Sequence, residues 1–587
     1  MPTKRNGTSL IDLLISMAIV GLLFGGVYLV YFSIITAVAN IGVRTAATTA
    51  IEQEIESVRN LPYDSVGIVS GIPSGVIPAT QSVSVGGYGF LLQTTIRNID
   101  DPFDGTLGGI PNDTAPADYK LVSIQATCPL CVNSISVSIT TTVAPKNLES
   151  ATQNGSLFVY ALNANGVGVQ GAQVHLVNTS VTPSIDLSDT TNASGVLALV
   201  GVPTSTQGYS VVVTKPGYST DQTYPLGGAG NPNPVKPNAT VAAQTVTALS
   251  FSIDKLSSLS VSAVDDRCVA VPSDTFSMAG SKLIGTPNVL KFSTSSTMDA
   301  SGTQTIQNLE WDTYTLNVSD ISRELAGTIP LDPITINPNS TQTFKFILVP
   351  SADPALLATI TDTATGNGIT DAKVTLTEPG VSRILTTGQD TVSQTDWSGN
   401  HYSSQSGGVD TTTPGTMTLL ANASSSYSTT TTEWLISSTI DLGGASSTLY
   451  SIAWNPTSEP VQTGPQSAIF QVAGNTDQAT WNFIGPDGTS GSYFTSSSSS
   501  LPASLSGDRY IRYKVYMSTQ DQHYTPSITK VSFTFSADCV PPAQVLFTSL
   551  PLGSYTLDVT APNYFENSTT ISITSGFQSS TLSLTHS

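Results

Sequence analysis

The N-terminal region of the chain contains its longest apolar run. Between Asp12 and Arg44, 31 consecutive residues carry no formal charge, whereas about 20 apolar residues suffice to cross a bilayer as a helix. The run is longer than the core of a secretory signal peptide, which has about 7–15 residues. We therefore expect the segment to remain attached and to span a membrane. Lys4 and Arg5 precede it, which favours a cytoplasmic N-terminus and an extracellular remainder.

The apolar run continues directly into an amphipathic segment. Ile51, Ile55 and Val58 follow one another at spacings of four and three residues, among glutamates. This spacing is typical of one apolar face of a helix. Pro62 then ends the pattern. We predict one long helix over residues 8–61, whose first half spans the membrane.

Beyond the helix, the hydrophobic pattern changes to a period of two. Residues 82–99, 118–128 and 134–145 alternate apolar and polar side chains, which is typical of half-buried strands. They predict an antiparallel sheet over residues 62–150 that packs on the helix as a β head.

From about residue 155 the chain repeats one pattern of strands and turns. Each repeat has two early strands, a turn rich in small residues, and a strand that begins with tyrosine. Such self-similarity predicts a series of similar domains. We predict β-sandwich repeats at 155–255, 256–350, and 355–394 plus 541–587, with Tyr209, Tyr314 and Tyr555 at equivalent core positions.

The third repeat is interrupted by residues 395–540, which also have strand-like alternation at short intervals. Aromatic residues concentrate in this segment, among them Trp434, Trp454 and Trp481. Aromatic faces stack on sugar rings, so these tryptophans are candidate ligand-binding residues. The alternative is that they fill the core between two sheets.

Composition agrees with a β-rich surface protein. Charged residues are 11% of the 587, and 21 Lys plus Arg against 41 Asp plus Glu give a formal charge of −20. Such an acidic chain lacks the basic surface that nucleic acid requires. The predicted fold class is mainly β with one long N-terminal helix that packs on an antiparallel sheet, followed by a string of Ig-like β-sandwiches and an inserted β domain.

The four cysteines raise two questions of pairing. Cys128 and Cys131 lie between strand-like flanks. A redox pair or half of a metal site is conceivable, but the flanks lack a βαβ pattern and no second Cys or His pair is near. We favour a structural disulfide in an oxidising compartment. For Cys268 and Cys539, a long-range disulfide and two free buried thiols both remain open.

An acidic, glycine-containing loop lies between the strand-like segments 82–99 and 118–128. Calcium takes several oxygen ligands, although the spacing here is not that of an EF-hand. The alternative is a solvated turn in which aspartates cap the backbone. The candidate calcium ligands are Asp100, Asp101, Asp104 and Asp113, with Asp118 close by.

Residues 4–14, KRNGTSLIDLL, resemble the cleavage and methylation motif of type IV prepilins and pseudopilins. The resemblance implies that prepilin peptidase cuts after Gly7 and methylates the new N-terminal amine of Thr8. It also implies that Asp12 pairs with the N-terminal amine of a neighbouring subunit, which makes a carboxylate tolerable in apolar surroundings. The chain departs from the family in having Thr8 for an aromatic residue and Asp12 for glutamate.

The same resemblance implies partners and location. Other pilins would bind the N-terminal helix, the inner membrane would hold the protein before assembly, and the mature part would lie on the cell surface or in a pilus. Some pseudopilins carry calcium in a loop of the head, which is the implication for the acidic loop. No other cofactor is expected.

The sandwich repeats resemble the carboxypeptidase regulatory-like, transthyretin-type fold, and the insertion resembles a jelly roll of the discoidin or galactose-binding type. The regulatory module is not the peptidase. None of His175, His401, His523 and His586 has glutamate three residues later, as zinc carboxypeptidases require. We expect no enzymatic activity.

Two functions follow from these patterns. The first is a large minor pilin or pseudopilin that presents β-sandwiches outward for adhesion or surface interaction. The second is a membrane-anchored, lectin-like protein that never polymerises. Surface glycans, or a host or neighbouring cell, are candidate partners of the outer domains.

Overall fold

The computed structural model confirms the predicted fold class, which is mainly β with one long N-terminal helix. Helix α1 is Leu10–Arg59. Its segment Met17–Arg59 contains a stretch long and apolar enough to cross a membrane, with a mean hydropathy of 2.2. The structure describes residues 10–131, 135–146, 153–318, 322–444 and 446–587.

The chain divides into two compact units. One is Met1–Leu256 with Leu283–Val289, and the other is Ser257–Lys282 with Leu290–Ser587. The first contains the helix, the head and repeat 1. The second contains most of repeat 2, all of repeat 3 and the inserted region. We keep these names for the segments predicted above.

The head is an antiparallel meander of four strands, each paired with the next. Alternation along the two central strands places their apolar side chains on one face, and helix α1 packs against that face. The strands are β1 (Thr80–Val85), β2 (Tyr88–Ile99), β3 (Tyr119–Thr127) and β4 (Ser136–Val143).

Repeat 1 is a sandwich of two sheets that enclose one apolar core. Its strands are β5 (Gly155–Leu162), β6 (Gln173–Asn178), β7 (Ile185–Thr190), β8 (Val196–Val202), β9 (Ser205–Thr214), β10 (Asp221–Gln222), β11 (Ala239–Val241) and β12 (Val246–Ser252). One sheet has the order β10-β9-β6-β7, with β11 also on β9, and the other has the order β12-β5-β8.

Repeat 2 is a second sandwich with its own core. Its strands are β13 (Ser257–Val264), β14 (Thr275–Gly280), β15 (Leu283–Gly285), β16 (Val289–Leu290), β17 (Ser293–Thr297), β18 (Thr303–Leu309), β19 (Asp312–Val318), β20 (Arg323–Ile329), β21 (Ile334–Ile336) and β22 (Thr341–Pro350). The two main sheets are β18-β13-β22-β20 and β17-β14-β19-β21.

Repeat 3 begins before the inserted region. Its first strands are β23 (Ala355–Asp362), β24 (Lys373–Glu378) and β25 (Val381–Thr386). The insertion then contributes β26 (Asp390–Gln394), β27 (Tyr402–Gln405), β28 (Val409–Asp410), β29 (Met417–Leu419), β30 (Glu433–Ser437), β31 (Ile440–Asp441), β32 (Thr448–Asn455), β33 (Ala468–Asn475), β34 (Ser499–Ser500), β35 (Tyr510–Met517), β36 (Ser527–Ile528) and β37 (Lys530–Ser536).

The chain returns to repeat 3 after β37. The last strands are β38 (Gln544–Phe547), β39 (Gly553–Thr560), β40 (Asn567–Ile573) and β41 (Phe577–Leu584). The sheets of repeat 3 have the orders β38-β23-β41 and β25-β24-β39-β40. Strands on both sides of the insertion therefore share one core.

The three sandwiches share one pairing pattern. In each, the first and last strands pair in parallel: β5 with β12, β13 with β22, and β23 with β41. The second strand of each pairs antiparallel with the tyrosine-bearing strand: β6 with β9, β14 with β19, and β24 with β39. The repeated sequence pattern thus corresponds to a repeated topology.

The repeated tyrosines bind the backbone just upstream of their own strand. The hydroxyl of Tyr209 donates to the carbonyl of Pro203 at 2.6 Å, that of Tyr314 to Glu310 at 2.8 Å, and that of Tyr555 to Pro551 at 3.0 Å. All three side chains are buried. This is the tyrosine-corner arrangement, in which a buried hydroxyl fixes the bend that enters the strand.

The inserted region has three sheets around the largest core cluster of the chain. Their orders are β26-β37-β32-β34, β27-β30-β35-β31 with β33 also on β35, and β28-β29-β36. Strand β26, which the sequence analysis placed at the end of repeat 3, pairs with β37. Residues 390–394 therefore complete a sheet of the insertion.

Candidate functional site

The C-terminal half of α1 is covered by the head. Its buried side chains contact apolar side chains of β2 and β3 in one core cluster. Ile51, at the centre, is 0% exposed. The periodicity of the sequence predicted this face. The helix contributes Val43, Ala46, Ala47, Ala50, Ile51, Ile55 and Val58, and the sheet contributes Phe90, Leu92, Ile96, Val122, Ile124 and Ala126.

The N-terminal half of the same helix is uncovered by the described residues. Eighteen large apolar side chains between Leu14 and Ile41 are 48% to 77% exposed. The polar hydroxyl of Thr36 donates to the carbonyl of Phe32 at 2.8 Å, so it is satisfied within the helix. Isolated exposed apolar residues are ordinary, but a continuous apolar surface of this size marks an interface with protein or lipid.

The predicted processing residues, Gly7 and Thr8, lie outside the described residues. Asp12 lies within α1, but its side chain is also outside what the structure describes. Cleavage after Gly7, methylation of Thr8 and pairing of Asp12 with an amine therefore stay predictions.

Three carboxylates in the acidic loop of the head share the same hydrogen-bonding pattern. The backbone N–H of Leu107 donates to Asp100 Oδ2 at 2.9 Å, that of Ala115 donates to Asp113 Oδ1 at 2.7 Å, and that of Asp101 donates to Asp118 Oδ2. In each acid the second oxygen is buried without a hydrogen-bond partner. Buried unpaired oxygens are uncommon, and an ion is one explanation for them.

Burial and like charges together disfavour the ionised form of Asp100 in this loop. Burial raises the pKa of Asp100, and the carboxylates of Asp113, Asp118 and Asp104 raise it further. Asp113 is only 9% exposed. Hard carboxylate oxygens suit calcium chemically. However, no three potential metal-ligating side chains among the described residues are close enough to share an ion.

The predicted calcium ligands are not equivalent in this loop. Asp104 is exposed, and Asp101 Oδ1 accepts the N–H of Phe103 at 3.2 Å in an ordinary turn. Asp118, which the candidate ligand set of the sequence analysis did not include, has an unpaired buried oxygen. The geometry thus singles out Asp100, Asp113 and Asp118.

Both cysteine pairs are disulfides. Cys128 and Cys131 close the short connection between β3 and β4, with 5.5 Å between their Cα atoms. Cys268 and Cys539 join positions 271 residues apart, also at 5.5 Å between Cα atoms. The second bridge ties the loop after β13 in repeat 2 to the end of the insertion.

The candidate ligand-binding tryptophans lie in different environments. Trp454 is 4% exposed and its ring stacks on Phe470 at 4.3 Å between centroids. It belongs to the core of the insertion, so the core-packing alternative holds for this residue. Trp434 and Trp481 are half-buried at the outer surface of the sheet that contains β35.

Sequence reasoning missed the cations that accompany these two rings. Arg512 lies over the ring of Trp481, and Lys514 lies over those of Trp434 and Tyr516. The alternation in YIRYKVYM placed both cations and Tyr516 on one face, but nothing in the sequence identified the two tryptophan rings beside them. We call Trp434, Trp481, Arg512, Lys514 and Tyr516 the cation–aromatic face.

Two of the four histidines lie beside acids. His175 Nε2 lies 2.8 Å from Asp186 Oδ1, and His401 Nδ1 lies 3.6 Å from Asp396 Oδ2, both with exposed imidazoles. Across the described parts of the chain, no cluster of three His, Cys, Asp or Glu side chains is arranged to hold a metal.

Comparisons with known proteins give only distant similarities. No protein-family model matches the chain, and no curated protein is significantly similar to it. Among solved structures, the Bacillus anthracis TIE protein aligns over 86% of this chain and 73% of its own, at 11% identity and a TM-score of 0.15.

Two Gram-positive pilins align with smaller parts of the chain. The shaft pilin of Lactobacillus rhamnosus GG covers 34% of this chain and 98% of its own, at 12% identity and a TM-score of 0.15. The minor pilin of Streptococcus agalactiae covers 34% and 97%, at 13% identity and a TM-score of 0.18. Similarities with such TM-scores carry no argument about this chain.

Proposed function

We propose that this chain is a large minor pilin or pseudopilin of a type IV pilus-like or type II secretion-like filament. The observation that carries the proposal is the division of α1. Its C-terminal half packs on a four-stranded sheet, and its N-terminal half exposes a continuous apolar surface. A helix of this kind inserts among other apolar helices, first in the membrane and then in a filament.

Asp12 gives the proposal a specific assembly contact. A lone carboxylate in apolar surroundings is costly, whereas one paired with an amine is tolerated. The amine would be that of Thr8 in a neighbouring subunit, after cleavage behind Gly7. The β domains would then project outward, and their size favours a sparse or tip position over one in every subunit.

The assembly experiment compares three forms of the chain in its native host. Wild type, Asp12→Ala and Asp12→Glu are expressed at equal levels, and sheared fibres are separated from membranes. We expect wild type and Asp12→Glu in the fibre fraction and Asp12→Ala mainly in the membrane fraction, because only the first two can pair with an amine. Equal incorporation of Asp12→Ala would contradict the proposed contact.

The second candidate function is a membrane-anchored, lectin-like protein that never polymerises. The cation–aromatic face of the insertion favours a binding role, and that role is compatible with both candidates. The fibre fractionation separates them. A wild-type chain that remains wholly in membranes, with its leader uncut, would support the anchored protein and exclude the filament subunit.

We further propose that calcium binds the acidic loop at Asp113, the most buried of its carboxylates, without a shared set of three side-chain ligands, because no three acidic side chains in the described loop are close enough to share an ion. The pKa of Asp100 is raised in the folded head. The calcium-free head therefore loses stability as the pH rises from the ordinary pKa of an aspartate through the raised pKa of Asp100. A bound cation would offset that loss at neutral pH. A ligand at 100 times its Kd stabilises the state that binds it by about 2.7 kcal/mol.

The calcium experiment measures the thermal unfolding of the full chain in detergent, with chelator and with calcium, at pH 7. We expect calcium to raise the Tm of the head in wild type and in Asp104→Asn, whose side chain is exposed. Asp113→Asn should lose the response. A Tm independent of calcium, or an equal loss of the response in both variants, would contradict the site.

A further inference from the structure

The outer face of β35 combines positive charge with aromatic rings. Its side chains alternate strictly between the core and the outer surface. Arg512 and Lys514 are on the outer face, flanked along the strand by Tyr510 and Tyr516, while the residues between them are buried. The buried set is Ile511, Tyr513, Val515 and Met517.

Each cation is held over a ring. The guanidinium carbon of Arg512 lies 4.3 Å from the centroid of Trp481. Lys514 Nζ lies 4.5 Å from the centroid of Trp434 and 4.7 Å from that of Tyr516. These distances are within the range of cation–π attraction. The rings restrict the cations to defined positions without neutralising their charge.

Neither cation has a carboxylate partner among the described residues. Arg512 donates from Nε to Thr439 Oγ1 at 2.9 Å and from Nη1 to Ser403 Oγ at 3.0 Å, both neutral hydroxyls. Burial lowers the pKa of Arg512. Nearby Arg509 differs, because it forms a bidentate pair with Asp441 at 2.9 and 3.0 Å.

A buried amide fixes the Tyr516 ring. The hydroxyl of Tyr516 donates to Gln471 Oε1 at 3.0 Å, and Gln471 Nε2 donates to the carbonyls of Ser490 and Ser492. Gln471 is 2% exposed, so its amide orients the ring and does not itself reach the surface. Tyr493 packs edge-on against Tyr516, with 5.3 Å between centroids, and is 36% exposed. The aromatic rings match the apolar faces of sugars.

We propose that the cation–aromatic face binds a saccharide that carries carboxylate or sulfate groups. Guanidinium and ammonium groups bind such anions through charge-assisted hydrogen bonds. The stacked rings preorganise the donors, so little side-chain freedom is lost on binding. In a chain of net charge −20, this unpaired cation pair offers local complementarity to an acidic ligand. The inference deepens the adhesive role proposed above and relies on it only for the exposure of the domain to the exterior.

The experiment uses the full chain in detergent micelles and isothermal titration calorimetry, so no filament is needed. The acidic probes are a galacturonate tetramer, a sulfated tetrasaccharide and sialyllactose. Their neutral counterparts are the methyl-esterified tetramer, the desulfated tetrasaccharide and lactose. A tetraglutamate peptide tests whether charge alone is sufficient.

We expect at least one acidic saccharide to bind and its neutral counterpart to bind at least about tenfold more weakly, because charge-assisted hydrogen bonds are lost. Arg512→Gln and Lys514→Gln should each weaken that binding by about tenfold. Lys530→Gln is the matched control, because it removes the same charge from another sheet of the insertion. It should leave the affinity unchanged.

Four outcomes would overturn the inference. They are no binding of any acidic saccharide by the folded chain, equal binding of the neutral counterparts, equal or tighter binding of tetraglutamate, and equal weakening by Lys530→Gln. The folding of each variant is checked by its Tm. If Arg512→Gln fails to fold, Lys514→Gln alone decides, because its Nζ contacts only rings at this face. Failure of filament assembly would not affect these measurements.

Discussion

The two halves of α1 are apolar for different reasons. The C-terminal half has a stripe of buried side chains that the head covers, with charged residues on the opposite face. The N-terminal half is apolar all round and exposed to at least 48% at its large side chains. The described β domains thus cover one half of the helix and leave the apolar surface of the other half exposed. Under the proposed function, the helix would join an intramolecular core to an intermolecular one.

The largest predicted effect comes from placing a carboxylate in each half. Ile51→Asp buries an unpaired charge and should lower the free energy of unfolding of the head by about 4 kcal/mol or more. Native-state hydrogen exchange of the 43–58 amides measures it. Val27→Asp is the matched variant, because Val27 is 66% exposed.

Val27→Asp should leave the exchange of the 43–58 amides unchanged. It should weaken membrane retention instead, since an aspartate at the centre of a spanning helix costs about 2.5–3.5 kcal/mol. Equal destabilisation of the head by both variants would break the comparison, because it would mean that the N-terminal half also packs on the chain's own domains.

A cavity in the covering sheet should have the next largest effect. Ile124 is fully buried on β3, in the cluster that contacts α1. Ile124→Ala should lower the stability of the head by about 2–5 kcal/mol, because it removes transfer free energy and leaves a cavity. Faster exchange of the 43–58 amides, without any change at residues 20–35, is the expected result. A change below 1 kcal/mol would show that the sheet does not hold the helix.

The two disulfides should differ in their effect on the helix. Replacing Cys128 and Cys131 by serine should destabilise the head by about 2 kcal/mol, the chain-entropy value for so short a loop. The matched control replaces Cys268 and Cys539, which lie in the second compact unit. This control should leave the hydrogen exchange of the 43–58 amides unchanged. If removing either disulfide had the same effect on these amides, the head alone would not be what covers this half of α1.

The smallest effect is expected at the solvent side of the covered half. Arg59 pairs with Glu56 at 3.1 Å, with the two side chains 53% and 66% exposed. Arg59→Gln should change the stability of the head by less than about 0.5 kcal/mol, as exposed pairs do. Urea unfolding followed by exchange of the same amides measures it. A loss comparable to that of Ile124→Ala would mean that surface charge, and not apolar burial, holds the helix.

The helix and the fold class could be predicted because their periodicities are local. A spacing of 3.6 along residues 43–58 and of two along β2 and β3 each depend on neighbours in sequence. The pairing of β26 with β37 could not be predicted, because register between distant strands depends on the whole core. The sequence placed residues 390–394 in repeat 3 for that reason.

The cation–aromatic face also depends on pairing between strands that are distant in sequence. In β32 the register shifts between Leu449 and Ser451, and such a shift changes which residues face the core. Trp454 is therefore buried, in agreement with the core-packing interpretation. Arg512 and Lys514 lie on a predictable face of β35 together with Tyr516, yet the two tryptophan rings come from positions about 30 and 80 residues away. Only the assembled sheet brings these groups together.

The most direct test of the central account is mass spectrometry of the N-terminus of the mature protein, purified from its native host. The account predicts a chain that begins at Thr8 with a methylated amine, because a filament subunit must free that amine to neutralise a neighbour's carboxylate. An intact N-terminus that still carries Lys4 and Arg5 would contradict it, and the apolar half of α1 would then be an ordinary membrane anchor.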